Sequence, residues 1–323
     1  MFDQGEIATS GPGNAGLVLF ALGGEDIAIQ TAVARGIGGR LREAGAEVAQ
    51  AAHAVVDSPH RVMLMLTDAL AGDQQEILRG AFSVAGAAVP LVGGCAGDDL
   101  KMEATFQFHG AEVLRDAVVV AAIGSTAPMG IGVRHGWRPV GDPMLVTRSD
   151  GNRVIELDGA RAVDVYLDRL GAPAEARTDP EAFTRFALTH PLGLSRRSGE
   201  AHVRFIGDAD PDSGALICIA SVPEGNTVWV MEGDEQSVLD ATDAACTDAL
   251  AALDGSPPIG VLAFDCIARR GVLGEAGIER EIGRLAEHVA GAPVAGFYTY
   301  GEIARRGGSL GFHNQTMVVL AVQ

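Results

Sequence analysis

Two of the three tyrosines in this 323-residue chain, Tyr298 and Tyr300, stand two positions apart, and Glu302 continues the same spacing. On an extended strand, residues at i and i+2 share a face, so both phenols and the carboxylate are expected to point one way. Ring faces and a carboxylate together hold an ammonium group. Arg269 or Arg270 can grip a carboxylate through the bidentate guanidinium fork. An amino-acid-like ligand satisfies both ends. His313, Asn314 and Gln315 follow before the apolar run Met317 to Val322, with His313 and Gln315 expected as a second polar row. The alternative is structural: Arg269 pairs with Glu302, and Asn314 and Gln315 satisfy loop carbonyls.

A second glycine-rich bend, Val92-Gly93-Gly94-Cys95-Ala96-Gly97-Asp98-Asp99, carries further polar groups. Gly94 and Cys95 are expected beside the ligand, while Asp98 and Asp99 can cap a helix or bind a cation. An enzyme reading takes Cys95 or Cys266 as nucleophile with His109 or His313 as base. No nucleophile elbow or phosphate loop supports it, and no third, orienting residue stands out. The four cysteines are widely spaced with no Cys-x-x-Cys pair, so neither zinc nor a disulfide framework is signalled. Gly11-Pro12-Gly13-Asn14-Ala15-Gly16 has dinucleotide-loop spacing, but it leads into an apolar run and opens no helix.

These groups need a scaffold, and the chain spells one twice. Val62 to Asp68, a helical stretch over 73–84, the bend at 89–99, Phe106 to Gly110 and the apolar run Ala117 to Ile123 form one series. Gly260 to Asp265, a helix-like stretch, Ala292 to Gly296, Gly301-Glu302, Gly311-Phe312-His313 and the terminal strand form the other. Gly5-Glu6-Ile7-Ala8 repeats the letters of Gly301 to Ala304. We read a duplicated strand–helix–strand–Gly-loop–strand unit. Between the copies, Asp150-Gly151 marks a hairpin joining Met144–Arg148 to Val154–Leu157. Helices are expected over 162–170 and 237–253, and strands over 201–206, 215–222 and 226–232. Residues 1–16 read as a loop, Leu17 to Leu22 as a strand and Asp26 to Ala44 as a helix. The fold class is α/β (α+β-like), with mixed, largely antiparallel sheets flanked by helices.

Hydrophobic residues make up 47% of the chain, ample for a core, and no apolar run reaches the ~20 residues of a membrane span. A net charge of −18 argues against nucleic acid, which needs a basic face. Lys101 is the only lysine, so a Schiff-base mechanism elsewhere is excluded. No charged-then-apolar leader opens the sequence, and a cytoplasmic protein is expected.

The glycine bend at 92–99, the segment His135-Gly136-Trp137-Arg138-Pro139-Val140-Gly141 and Glu156-Leu157-Asp158-Gly159 resemble FIST-domain proteins. So do His190-Pro191-Leu192-Gly193-Leu194, Phe264 to Arg270, Gly296 to Ala304 and His313-Asn314-Gln315-Thr316. The resemblance spans nearly the whole chain and implies a FIST N-type half over 1–157 and a C-type half over 158–323. It further implies an intracellular sensory module that binds a small ligand, amino acids or related metabolites having been suggested. The output would pass through a separate protein such as a histidine kinase or a cyclase/phosphodiesterase. One branch of the family binds haem and senses nitric oxide, which would put the axial histidine at His190. Phe183, Phe186, Leu188 and Leu192 surround His190 in sequence, whereas a plain His-Pro helix end explains the same residues. Arg134 suits a porphyrin wall poorly. Relatives carry a further strand–helix stretch before Gly5, and its absence is expected to leave the Leu17 to Leu22 strand with an unpaired edge.

Overall fold

The computed structural model describes residues 5–195, 202–306 and 310–323. The chain opens with β1 (Glu6–Ala8) and β2 (Gly11–Pro12), a small hairpin where a loop was expected. Then come β3 (Ile27–Arg35), α1 (Leu41–Val48), β4 (His60–Asp68), α2 (Gln74–Ala85) and β5 (Leu91–Ala96). The hairpin β6 (Gln107–His109) and β7 (Glu112–Leu114), then β8 (Ala117–Ser125) and β9 (Met129–Arg134), complete the first stretch.

Residues Gly136–Val238 form a compact unit of their own. It holds β10 (Arg138–Asp150), β11 (Arg153–Leu157), β12 (Ala160–Arg161), α3 (Ala162–Arg169), α4 (Pro180–Leu188), β13 (Leu192–Leu194), β14 (His202–Arg204), β15 (Ile206–Ala209), β16 (Leu216–Cys218) and β17 (Thr227–Glu232). The sheet runs β14-β13-β17-β10-β11-β16-β15, with β12 on β11, and all its pairs are antiparallel. Tyr166, Phe183, Leu192 and Val230 lie in its core. The strand expected over 201–206 divides into β14 and β15, and residue 201 lies outside the described residues.

The chain then returns with α5 (Glu235–Ala251), β18 (Gly260–Cys266), α6 (Ile267–His288), β19 (Val294–Thr299), β20 (Glu302–Arg305), β21 (Phe312–His313) and β22 (Met317–Val322). Met1–His135 and Leu239–Gln323 together make the other unit, built on two six-stranded sheets. Their orders are β2-β1-β19-β18-β22-β9 and β21-β20-β5-β4-β8-β3. Val62, Val92 and Ile123 from one sheet share a core with Phe264, Val318 and Leu320 from the other. Each fully buried aliphatic or phenyl side chain there contributes about 1.5–3 kcal/mol.

The two sheets carry the duplication. In each, the central strand pairs parallel with the strand after its helix and antiparallel with the closing strand: β4 with β5 and β8, β18 with β19 and β22. Gly93 and Gly296 take the same place, where a Cβ would lie 2.0 Å from the Met65 carbonyl oxygen and 1.9 Å from that of Ala263. The repeated tetrapeptide crosses between copies. β1 lies on β19 with Ile7 opposite Gly296, and β20 lies on β5 with Ile303 opposite Gly93.

Two expected elements differ. Residues 27–35 form a strand, because alternating Ile27, Ile29, Thr31 and Val33 sustain nine pairs with β8; the helix α1 starts only at Leu41. Residues 17–22 form no strand. The places beside the central strands are filled by β8 and β22, and Leu17 and Leu19 remain 82% and 84% exposed. At the β8 end of its sheet the outermost strand is β3.

Candidate functional site

The polar residues read from the sequence gather at the carboxyl ends of the parallel strands β4–β5 and β18–β19. They do not form one row. β19 ends at Thr299 and β20 begins at Glu302 in the other sheet, so the chain bends at Tyr300-Gly301 and the i, i+2 alternation is broken. Three separate arrangements result.

The first is centred on Glu302, which is fully buried. Its Oε1 accepts from Thr299 Oγ1 at 2.5 Å, and its Oε2 accepts from Thr316 Oγ1 at 2.8 Å and Thr316 N at 3.1 Å. Burial raises its pKa to about 7, against the pull of donors from Thr299, Thr316 and Cys266. Desolvation wins here even against several hydrogen bonds. Gly94, opposite Glu302, has no side chain where the Thr299 methyl lies. Nearby, Thr67 Oγ1 donates to Cys95 Sγ at 3.0 Å. Burial pushes the Cys95 thiol up to about 12 and raises Cys266 well above its ordinary value. Neither is a thiolate at neutral pH, the form a nucleophile needs. His313 sets Nε2 on the Ala304 carbonyl at 2.9 Å, and His109 sets Nε2 on Thr31 Oγ1 at 3.1 Å. Asn314 is buried, and Gln315 turns to φ 55°, which ends any polar row with His313.

The second joins the two glycine bends. Tyr300 Oη donates to Asp98 Oδ1 at 2.6 Å, and Asp98 also accepts the backbone N–H groups of Met102, Glu103 and Ala104 at 2.6–2.9 Å. Partial burial works against ionisation, but the Tyr300 hydroxyl and these amides hold Asp98 down at about 2. Asp98 thus ties down its own loop. Asp99 sits in the left-handed region at φ 59°, with Lys101 Nζ 3.7 Å from its carboxylate.

The third lies under α6. Arg269 is fully buried: Nε donates to Asp265 Oδ1 at 2.6 Å, Nη2 to Glu281 Oε1 at 2.5 Å and to Thr242 Oγ1 at 2.8 Å, and Nη1 to the His135 carbonyl at 3.4 Å. Every guanidinium nitrogen is engaged within the protein, with Asp265 and Glu281 as its carboxylate partners. The adjacent Arg270 differs. Its guanidinium carbon stands 5.0 Å over the Tyr298 ring, and it donates to Asn14 Oδ1, to Gly13 O at 3.4 Å and to the exposed Glu275 at 3.2 Å. The Tyr298 hydroxyl is buried and has no hydrogen-bond partner among the described residues. Burial, then Asp265 and Glu281, keep that phenol protonated. Asp265 Oδ2 and Glu281 Oε2 are buried without a donor as well. The sequence offered Arg269, Arg270 and Tyr298 but not Asp265 or Glu281 as members of this corner, although Asp265 and Arg269 at i, i+4 across a helix start were its visible signal.

His190, in the other unit, follows the end of α4. Its Nδ1 lies 2.8 Å from the Phe186 carbonyl and 3.0 Å from Thr189 Oγ1, and its ring stacks on Phe186 at 4.3 Å. The His190 carbonyl accepts from Tyr166 Oη at 2.7 Å. Nδ1 on a carbonyl would leave Nε2 for iron. Yet Phe183 and Leu192 belong to the closed core, and Phe186 covers the imidazole face. These residues form no apolar slot beside the ring, so they do not fit a porphyrin.

The FIST N domain model matches residues 2–160, and the FIST C domain model matches residues 162–305. The chain belongs to the FIST family. FIST domains are generally sensory domains. Among relatives, this FIST chain is 29% identical over 154 residues to an uncharacterized protein of Methanocaldococcus jannaschii, covering 45% of the chain and 30% of that protein. It is 27% identical over 231 residues to an uncharacterized protein of Mycobacterium tuberculosis, covering 70% of the chain and 59% of the relative. A Mycobacterium bovis protein, also uncharacterized, is 28% identical over 236 residues, with 70% and 58% covered. The FIST chain thus spans between 30% and 59% of the length of these relatives. Among the described residues, no helix is long and apolar enough to cross a membrane.

Proposed function

We propose that this FIST chain is a cytoplasmic sensory module that binds a small amino-acid-like metabolite beside Tyr298 and Arg270 and passes the signal to a separate partner, such as a histidine kinase or a cyclase/phosphodiesterase. The observation that carries the proposal is the Tyr298 hydroxyl, 1% exposed and without a partner among the described residues, beneath a guanidinium. A buried donor left unpaired costs about 1–3 kcal/mol, which a ligand acceptor recovers. Arg270 supports the same location, because its partners are an asparagine and a carbonyl of a glycine-rich loop and one exposed glutamate, all exchangeable for a ligand carboxylate. Residues 13–16 would then act as the cover. Glu6 pins this loop, its carbonyl accepting from Gly13 N and its side chain from Gly16 N, both at 2.9 Å. Arg269, which the sequence offered equally, is committed to the interior and positions α6. Protonated, buried thiols argue against the cysteine-enzyme alternative.

The test is a thermal-shift screen of amino acids and related zwitterions on the whole chain. A true ligand at a hundredfold excess over its Kd stabilises by about 2.7 kcal/mol. The shift should shrink in Tyr298→Phe and Arg270→Gln. A ligand that shifts both variants as much as the parent protein would place its site elsewhere.

A further inference from the structure

The corner of α6 sets two buried carboxylates against Arg269, the guanidinium that bonds both. Asp265 at the end of β18 and Glu281 in the second half of α6 are both 0% exposed, and Arg269 lies between them with a nitrogen on each. Asp265 Oδ2 and Glu281 Oε2 are the atoms left over. Two ionised carboxylates against one guanidinium leave an uncompensated buried charge, which costs several kcal/mol. One proton removes that charge and gives both spare oxygens a partner, one as donor and the other as acceptor.

The groups facing the pair are Arg269 from the first half of α6, the Tyr298 phenol from β19, the thiols of Cys246 from α5 and Cys266 from β18, and more distantly Glu302. Thr242 from α5 donates its hydroxyl to Glu281 Oε1 at 2.6 Å, and the His135 carbonyl accepts from Arg269 at 3.4 Å. Arg270 turns to Glu275 and the 13–16 loop, so among the described residues Arg269 is the cation bonded to both carboxylates. In keeping with this, burial and then the Glu281 carboxylate raise the Asp265 pKa well above the usual carboxylate range.

The pair also closes a hinge. Gly274 breaks α6 with φ 63° and ψ 178°, and Arg269, bonded to Asp265 on β18 and to Glu281, ties the second half of the helix back onto the first. We propose that Asp265 and Glu281 form a buried proton-binding site, holding one proton between Asp265 Oδ2 and Glu281 Oε2, and that release of this proton to solvent unlocks the α6 corner at Gly274. The site is separate from the ligand contacts proposed at Arg270, and it operates in the unliganded protein.

The experiment is amide hydrogen exchange of residues 267–288 in the whole unliganded chain across neutral to alkaline pH, corrected for intrinsic exchange rates. If opening releases one proton, the opening constant rises about tenfold per pH unit until the pair is ionised in both states. Asp265→Asn and Glu281→Gln, each of which replaces the proton with an amide donor, should keep this segment protected across the range. Glu302→Gln should not. Protection in the parent protein that is independent of pH, or that falls equally in the amide variants, overturns the proposal. Should neither variant fold, infrared difference spectroscopy of the parent protein decides: a protonated buried carboxyl band at neutral pH supports the site, and its absence removes it.

Discussion

Arg269 Nη2 lies 2.5 Å from Glu281 Oε1, although the two residues are twelve positions apart along α6. On an unbroken helix that separation is about 18 Å. Gly274 accounts for the difference, because its φ of 63° folds one helical segment against the other. A buried charge cluster therefore fixes tertiary structure that neither segment's helix propensity would produce.

Gly274→Ala should destabilise the protein by about 1–3 kcal/mol, the cost of placing a Cβ on a backbone conformation at φ 63° and ψ 178° that is essentially confined to glycine. No atom crowds the position, so the loss is conformational and not steric. Arg269→Gln should cost more, about 3–5 kcal/mol, since it strands two buried carboxylates. Denaturant titration of both variants checks the order; equal losses would show that the corner is not held by charge.

Glu302 should make stability depend on pH near neutrality. Its folded-state pKa of about 7 stands above the ordinary 4.5. The fold therefore favours the protonated form. That contribution is complete below pH 4.5 and is lost as pH rises to about 7, with a total on the order of 3 kcal/mol. Glu302→Gln should flatten this part of the profile. Parallel urea melts at acid and mildly alkaline pH provide the measurement, and an unchanged slope in the variant would assign the dependence to other groups.

Much of the scaffold was legible in the sequence. The glycine bends, the strands ending near Asp68 and Asp265, and the recurring Gly-Glu-Ile-Ala mark the duplication, because close backbone approach at Gly93 and Gly296 admits no side chain. β3 was not legible, since Ala28, Gln30, Ala32 and Ala34 are good helix formers whose preference is overridden by pairing with β8. The candidate site was half legible. Its residue types were visible, but a same-face argument fails once the chain leaves one sheet for another between Thr299 and Glu302. Nor does spacing along one helix bring Arg269 to Glu281, a contact that depends on one glycine.

The four cysteines should be inert toward thiol reagents in the native protein at neutral pH. All four are buried, and burial raises the thiols of Cys95, Cys218 and Cys246 to about 12. Counting reactive thiols before and after denaturation tests this. Early reaction at Cys266 or Cys95 would reopen the nucleophile reading.

Tyr300→Phe should act mainly through Asp98. The hydroxyl donates at 2.6 Å to a carboxylate that is also held by three loop amides, and together these keep its pKa near about 2. A depressed folded-state pKa contributes stability that is present above the ordinary carboxylate value and is lost as pH falls toward about 2. Removing the phenol hydroxyl should raise the Asp98 pKa, so the acid loss of stability becomes smaller and is complete at a higher pH. Deleting the carboxylate by Asp98→Ala should go further and loosen residues 99–104, whose left-handed turns at Asp99, Leu100 and Met102 depend on it. Carboxyl NMR titration reads the first effect, and hydrogen exchange at Met102, Glu103 and Ala104 reads the second. If Tyr300→Phe left the Asp98 titration unmoved, the bond joining the two glycine bends would carry no weight in solution.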